Sequence, residues 1–239
     1  MAVLESAKRL NAIVDHGNQS KTGRSPLILL PGVGGDAHLF ARQRAAFPEL
    51  VVPSWIEPER NESLVDYAAR FAKVIDPGQA CFIGGMSFGG VVAIEVATHL
   101  LTRECYLFGS VRSPREIPKR LRFFTYFTDL IMIPKWLSPL ALRIGGRRLS
   151  PAIRGTLHKL KDADGRFLRW ASKALLKWQP SAGVQQLRIV QIHGDRDRVF
   201  PVRRVTADKV VAGAGHMVSM TRSKEVNQFL RERMSSAPG

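Results

Sequence analysis

The chain has 239 residues, 45% of them hydrophobic and 23% charged, which supplies a sizeable core and excludes a wholly disordered polymer. Its 2 cysteines exclude a disulfide scaffold and a cysteine-built zinc site; Cys81 and Cys105 each lie in an apolar run and read as buried free thiols. Lys and Arg number 36 and Asp and Glu 20, a net charge of +16 that attracts anions of every kind and names no partner.

Residues 1–24 are mixed and polar, with a short helix predicted over 3–13. Residues 27–30 are wholly apolar and end at Pro31-Gly32, the pattern of a buried strand entering a sharp turn. A helix is predicted over 36–47, stopped by Pro48, and a short strand at 51–52. Ser63 caps a helix running to about Ile75, with Leu64, Tyr67, Ala68 and Phe71 on one stripe. Asp76-Pro77-Gly78 breaks it. A third strand over 80–83 enters a glycine-rich turn, and 91–101 is apolar enough for a helix buried on much of its surface. Further strands are predicted over 105–108, 187–192 and 209–211, and a last amphipathic helix over 222–233 turns Val226, Phe229 and Leu230 inward. The tail from Ser235 is expected to fray.

Short apolar strands alternating with helices predict an α/β fold: a mostly parallel sheet of about six to seven strands, covered on both faces. The rhythm breaks over 112–178, which carries 16 Lys or Arg against 4 Asp or Glu and no convincing strand. The domain reading is therefore a core made of 1–111 and 179–239, with 112–178 a helical cap over the carboxyl edge of the sheet. The apolar load at 121–144 suits packing between cap and core, an acyl pocket, or a membrane-touching face whose cations meet anionic head groups. Trp170 and Trp178 lie eight apart and are placed to anchor the returning arm of the cap. No apolar run reaches the ~20 residues of a spanning helix, and the first residues lack a signal peptide's apolar core, so the expected location is cytoplasmic.

Gly85-Met86-Ser87-Phe88-Gly89 fits G-x-S-x-G, with an apolar strand before it and a helix-compatible run after it. Glycines suit such a turn because strand and helix approach closely there. A serine hydroxyl needs a base to take its proton, and the base needs a carboxylate to hold it. Of six histidines, His216 follows a late strand in a loop of small residues, Gly213-Ala214-Gly215; His193 ends a strand and suits a structural role in orienting the acid loop. That loop, 193–201, offers Asp195 and Asp197. Asp197 is preferred because it lies further from the strand end and the loop can carry it toward His216, while Asp195 suits ordering the turn through backbone hydrogen bonds.

These segments resemble the α/β-hydrolase superfamily, in which the order serine, acid, histidine recurs. The resemblance covers Pro31-Gly32, the turn around Ser87, His193 to Pro201, and Gly215-His216. It implies Ser87, Asp197 and His216 as catalytic residues, a nucleophile elbow formed by Gly85, Met86 and Gly89, and an oxyanion hole from the N–H groups of Phe88 and Val33. The Asp197-to-Pro201 spacing fits the superfamily's acid loop. Pro31-Gly32 departs from the His-Gly common at that position, and one or both of the first antiparallel strands look missing. The implied activity is hydrolysis of a carboxylic ester or acyl thioester through an acyl-enzyme, with no metal or organic cofactor. The implied partner is a small acyl substrate, for which the basic cap suggests an anionic group; a carbon–carbon bond hydrolase or lyase is an alternative on the same fold. A non-catalytic binder of an anionic partner is a further alternative, but no nucleic-acid reading motif is present.

Overall fold

A computed structural model describes residues 25–119, 121 and 165–237. The predicted helix at 3–13, residues 122–144 of the apolar cap segment and the last two residues lie outside the described residues.

Six strands form one sheet in the order β2-β1-β3-β4-β5-β6, and every neighbouring pair is parallel. They are β1 (Leu27–Leu30), β2 (Leu50–Val51), β3 (Cys81–Met86), β4 (Thr102–Phe108), β5 (Ile189–Gly194) and β6 (Lys209–Val211). The strands read as continuous apolar runs because both faces are covered and side chains alternate between them. Ile28, Leu30, Ile83, Cys105 and Leu107 enter one core layer; Leu27, Leu29, Phe82, Tyr106 and Phe108 enter the other.

The first layer is covered by α2 (Leu64–Ile75), α3 (Phe88–Ala97) and α4 (Gly165–Lys177), the second by α5 (Val218–Thr221), α6 (Ser223–Ser236) and the residues flanking α1 (Ala41–Arg44), Leu39, Phe40 and Phe47. The predicted stripe on α2 is buried, and Ser63 Oγ accepts the Asp66 N–H at its start. On α6, Val226, Phe229 and Leu230 are buried as predicted. The segment predicted as one helix over 36–47 is instead a 3-10 turn, Ala37–Phe40, followed by the short α1. Asp36 caps that turn by accepting the His38 N–H. Ser235 and Ser236 continue α6 instead of fraying.

Chain order along the sheet reverses between β1 and β3. In an open parallel sheet, the loops at the carboxyl ends of such strands diverge and leave a crevice. The loops that follow β1, β3, β5 and β6 carry Val33, Ser87, Asp197 and His216. Between β4 and β5 the chain runs through the inserted helical region, whose described helix α4 returns to the core. Trp178 is buried and Trp170 packs against the core beside it, as their spacing predicted. Cys81 and Cys105 are buried free thiols. Among the described residues no helix is long and apolar enough to cross a membrane.

Candidate active site

Ser87 sits between the last residue of β3 and the first of α3. Its backbone has φ 54° and ψ −123°, a region that a non-glycine residue adopts only when its surroundings hold it there. Three hydrogen bonds do so. The Ser87 N–H donates to Phe108 O at 3.1 Å, and Ser87 O accepts from Ser110 Oγ at 2.7 Å and from the Gly90 N–H at 3.0 Å. The turn also needs glycine on both sides. A Cβ on Gly85 would run into the Gly89 backbone, and one on Gly89 into the Pro31 and Leu30 carbonyls, all closer than real Cβ atoms come.

The hydroxyl of Ser87 reaches His216, with Oγ 2.9 Å from Nε2. On the far side of the ring, Nδ1 lies 2.9 Å from Asp197 Oδ2. The ring keeps some solvent access, with its side chain 19% exposed, while the Asp197 side chain is fully buried. Asp197 Oδ1 accepts the Val199 and Phe200 N–H groups at 2.7 and 3.0 Å. Burial alone raises the Asp197 pKa. Hydrogen bonds from His193 and His216, the field of His216 and the Phe200 N–H outweigh it and hold the carboxyl well below the usual carboxylate range. Asp195 is exposed on the same loop and its backbone N–H bonds Val211 O. Of the two candidate aspartates, Asp197 is the one bonded to His216.

Gly32 lies beside the serine, since a Cβ there would be 3.6 Å from Ser87 Cβ. Val33 follows it, partly buried against the first core layer. The Phe88 ring packs against Trp55 at 6.0 Å, Phe167 at 6.4 Å and Trp170 at 6.0 Å. Helix α4 thus covers the residue next to Ser87.

His193 stands behind the acid loop, as its place at the strand end predicted; the polar groups around it, Gln191, Arg112 and Asp208, were not anticipated. Gln191 and His193 are fully buried two apart on β5, and Arg112 reaches Gln191 and is paired with Asp208. The signal was present: two polar residues share one face of a strand that otherwise reads as apolar.

A parallel sheet whose switch-point loops join a strained serine, a histidine and a buried aspartate, in the chain order serine, aspartate, histidine, defines the α/β-hydrolase class. The chain belongs to the alpha/beta hydrolase family, which matches residues 27–229. No curated protein matches it significantly in sequence. Solved structures match along nearly the whole length. A hydrolase from Pseudomonas aeruginosa PA01 superposes with a TM-score of 0.70 at 15% identity, covering 90% of this chain and 92% of that one. A thermophilic esterase from Thermogutta terrifontis gives 0.64 at 18% identity, covering 88% and 90%. The N-acyl homoserine lactonase AidH gives 0.68 at 18% identity, covering 92% and 93%. At these identities the likeness is one of fold. Family membership makes hydrolysis the reaction class.

Proposed function

We propose that the protein is a serine hydrolase that cleaves a carboxylic ester or acyl thioester through an acyl-enzyme. The observation carrying this reading is the unbroken pair of 2.9 Å contacts from Ser87 to His216 and from His216 to Asp197. His216 Nε2 takes the Ser87 proton as Oγ attacks the substrate carbonyl carbon, and Asp197 holds the ring by its Nδ1–H and stabilises the imidazolium. Negative charge then develops on the carbonyl oxygen. Phe88 opens α3, where N–H groups have no intrahelical acceptor, and its N–H is one oxyanion donor. The second is the Val33 N–H, on the loop that passes beside Ser87. Each such donor contributes ~3 kcal/mol in comparable sites. His216 returns its proton to the departing alcohol or thiol as the tetrahedral intermediate collapses. Water then repeats the sequence on the acyl-enzyme, with the same histidine as base, and releases the acid and free Ser87.

An anionic group on the substrate is the second part of the proposal. A cleft of about 950 Å³ lies between 58–65 and α4, walled by Arg60, Arg169, Lys173, Lys177 and Arg166, the last paired with Glu57 at 3.8 Å. Its acidic members Glu59 and Glu62 are both paired to Arg70. Trp170 lines this cleft and also packs on Phe88, which links the basic wall to the surroundings of Ser87.

Labelling with a fluorophosphonate, followed by peptide mapping, tests the mechanism. The adduct is expected on Ser87, and Ser87→Ala is expected to lose both labelling and turnover of p-nitrophenyl esters and acyl thioesters. Full turnover by a purified Ser87→Ala variant overturns the reading.

A further inference from the structure

His193 is fully buried and touches the Ser87–His216–Asp197 chain from behind. Its Nε2 lies 3.2 Å from Asp197 Oδ2 and 2.8 Å from Phe200 O. A carboxylate and a carbonyl only accept, so Nε2 carries a hydrogen. Its Nδ1 lies 3.1 Å from Gln191 Nε2. The Gln191 amide has one sensible orientation, because Nε2 donates to Ser110 O at 2.9 Å and Oε1 accepts from Arg112 Nε at 3.3 Å. Flipping it would set oxygen against carbonyl and NH₂ against guanidinium. Gln191 therefore offers a donor to Nδ1, which must present a lone pair. Every neighbour demands the same neutral imidazole with its proton on Nε2.

We propose that His193 is a positioning residue for hydrolysis: its Nε2–H, which donates to Phe200 O, also faces Asp197 Oδ2 at 3.2 Å, so that it fixes the carboxylate's rotation and draws part of its charge away from His216. The proposal rests on the serine-hydrolase reading. With Val199 and Phe200 on Oδ1 and His216 on Oδ2, the carboxylate receives three hydrogen bonds and faces the His193 Nε2–H as well, and one orientation satisfies them all. Among the described residues, the titratable side chains touching Asp197 are His193 from β5 and His216 from the loop after β6. Removing the His193 donor leaves Oδ2 wholly to His216, which then holds its proton more tightly.

The test compares wild type with His193→Phe, which has no donor, and His193→Gln, whose amide restores an N–H near the place of Nε2. In His193→Phe the low-pH limb of the kcat/KM profile is expected to rise by about 0.5 pH unit, with kcat down about tenfold and KM little changed. The His216 Nδ1–H proton resonance is expected to move downfield. His193→Gln is expected to reverse both spectral and kinetic shifts. Histidine ¹⁵N spectra of the wild type at pH 7 need no variant and are expected to show His193 protonated on Nε2 alone. A folded His193→Phe with an unmoved profile and resonance overturns the proposal, as does a wild-type His193 protonated on Nδ1. Fluorophosphonate labelling separates the two levels. Wild type that fails to label removes the hydrolase reading, whereas wild type that labels normally beside an unresponsive His193→Phe removes only the role of His193.

Discussion

Asp197 shows how one carboxylate is chosen from two. The sequence places Asp195 and Asp197 on one loop, and spacing favours the second. What it does not display is the set of contacts that makes a buried charge tolerable at Asp197: hydrogen bonds from Val199, Phe200 and His216, with the His193 Nε2–H close by. We expect Asp197→Asn to lower kcat by about 10³–10⁴-fold, as loss of a triad acid does elsewhere. Asp195→Asn, on an exposed side chain, is expected to stay within a few-fold of wild type. The reverse outcome in steady-state assays would exchange the roles. The same carboxyl links folding to pH. Its folded pKa is depressed below the unfolded one, so its stabilising contribution is present above the ordinary carboxylate range and is lost as pH falls through the folded value. Urea denaturation of wild type and Asp197→Asn should therefore show a stability gap at pH 7 that narrows steadily below about pH 4. A gap that widens in acid would contradict the donor set.

At the scale of elements, the strands were legible where apolar runs were unbroken, and less so where packing overrode propensity. β3 runs on through Gly84, Gly85 and Met86, beyond the predicted end at 83, because β1 and β4 pair with it there: Leu30 opposes Gly85, and Phe108 opposes Met86. α3 begins at Phe88, directly after the turn, although Gly89 and Gly90 are poor helix formers. The close approach of Leu30 and Pro31 requires Gly89 and that of Ser110 requires Gly90, and tertiary contact sets the start of the helix. The polar ties of the insertion's arms were less legible for a different reason, since each links an arm to a distant element through a buried carboxylate. Glu116 accepts the Arg112 and Thr206 N–H groups at 2.7 and 3.1 Å. Glu95, buried on α3, accepts the Trp178 indole N–H at 2.7 Å and the Ser181 N–H at 3.3 Å. Removing that acceptor leaves two donors without their partner in the interior. Glu95→Ala is expected to cost about 2 kcal/mol of unfolding free energy, and Glu95→Gln, which keeps an acceptor, less. Equal melting of Glu95→Ala and wild type would mean that the returning arm is held by apolar contact alone.

For the whole molecule, the α/β architecture and the convergence of Ser87, Asp197 and His216 follow from the alternation of strands and helices and from where the loops fall. Charge is distributed less evenly than the total of +16 implies, since 112–178 holds 16 of the 36 Lys and Arg residues. On α4 this segregation has a clear geometry. Phe167, Trp170, Ala171 and Ala174 face the core, while Arg166, Arg169, Lys173 and Lys177 face outward along the cleft. A wall of like charge beside a low-dielectric surface concentrates counter-ions, and salt screens it over about 10 Å at 0.1 M ionic strength. If that wall recruits substrate, kcat/KM for a carboxylate-bearing p-nitrophenyl ester should exceed that of its neutral isostere at low salt. The advantage should shrink as NaCl rises through about 0.1 M, because only the charged substrate senses the field. In Arg169→Glu/Lys173→Glu the preference for the anionic ester should disappear or invert, an outcome read as the ratio of the two kcat/KM values, which cancels any general loss of active enzyme. A ratio near one for wild type at low salt, or a ratio indifferent to both salt and charge reversal, would detach the basic cleft from substrate recognition and leave the ester or thioester chemistry at Ser87 standing without it.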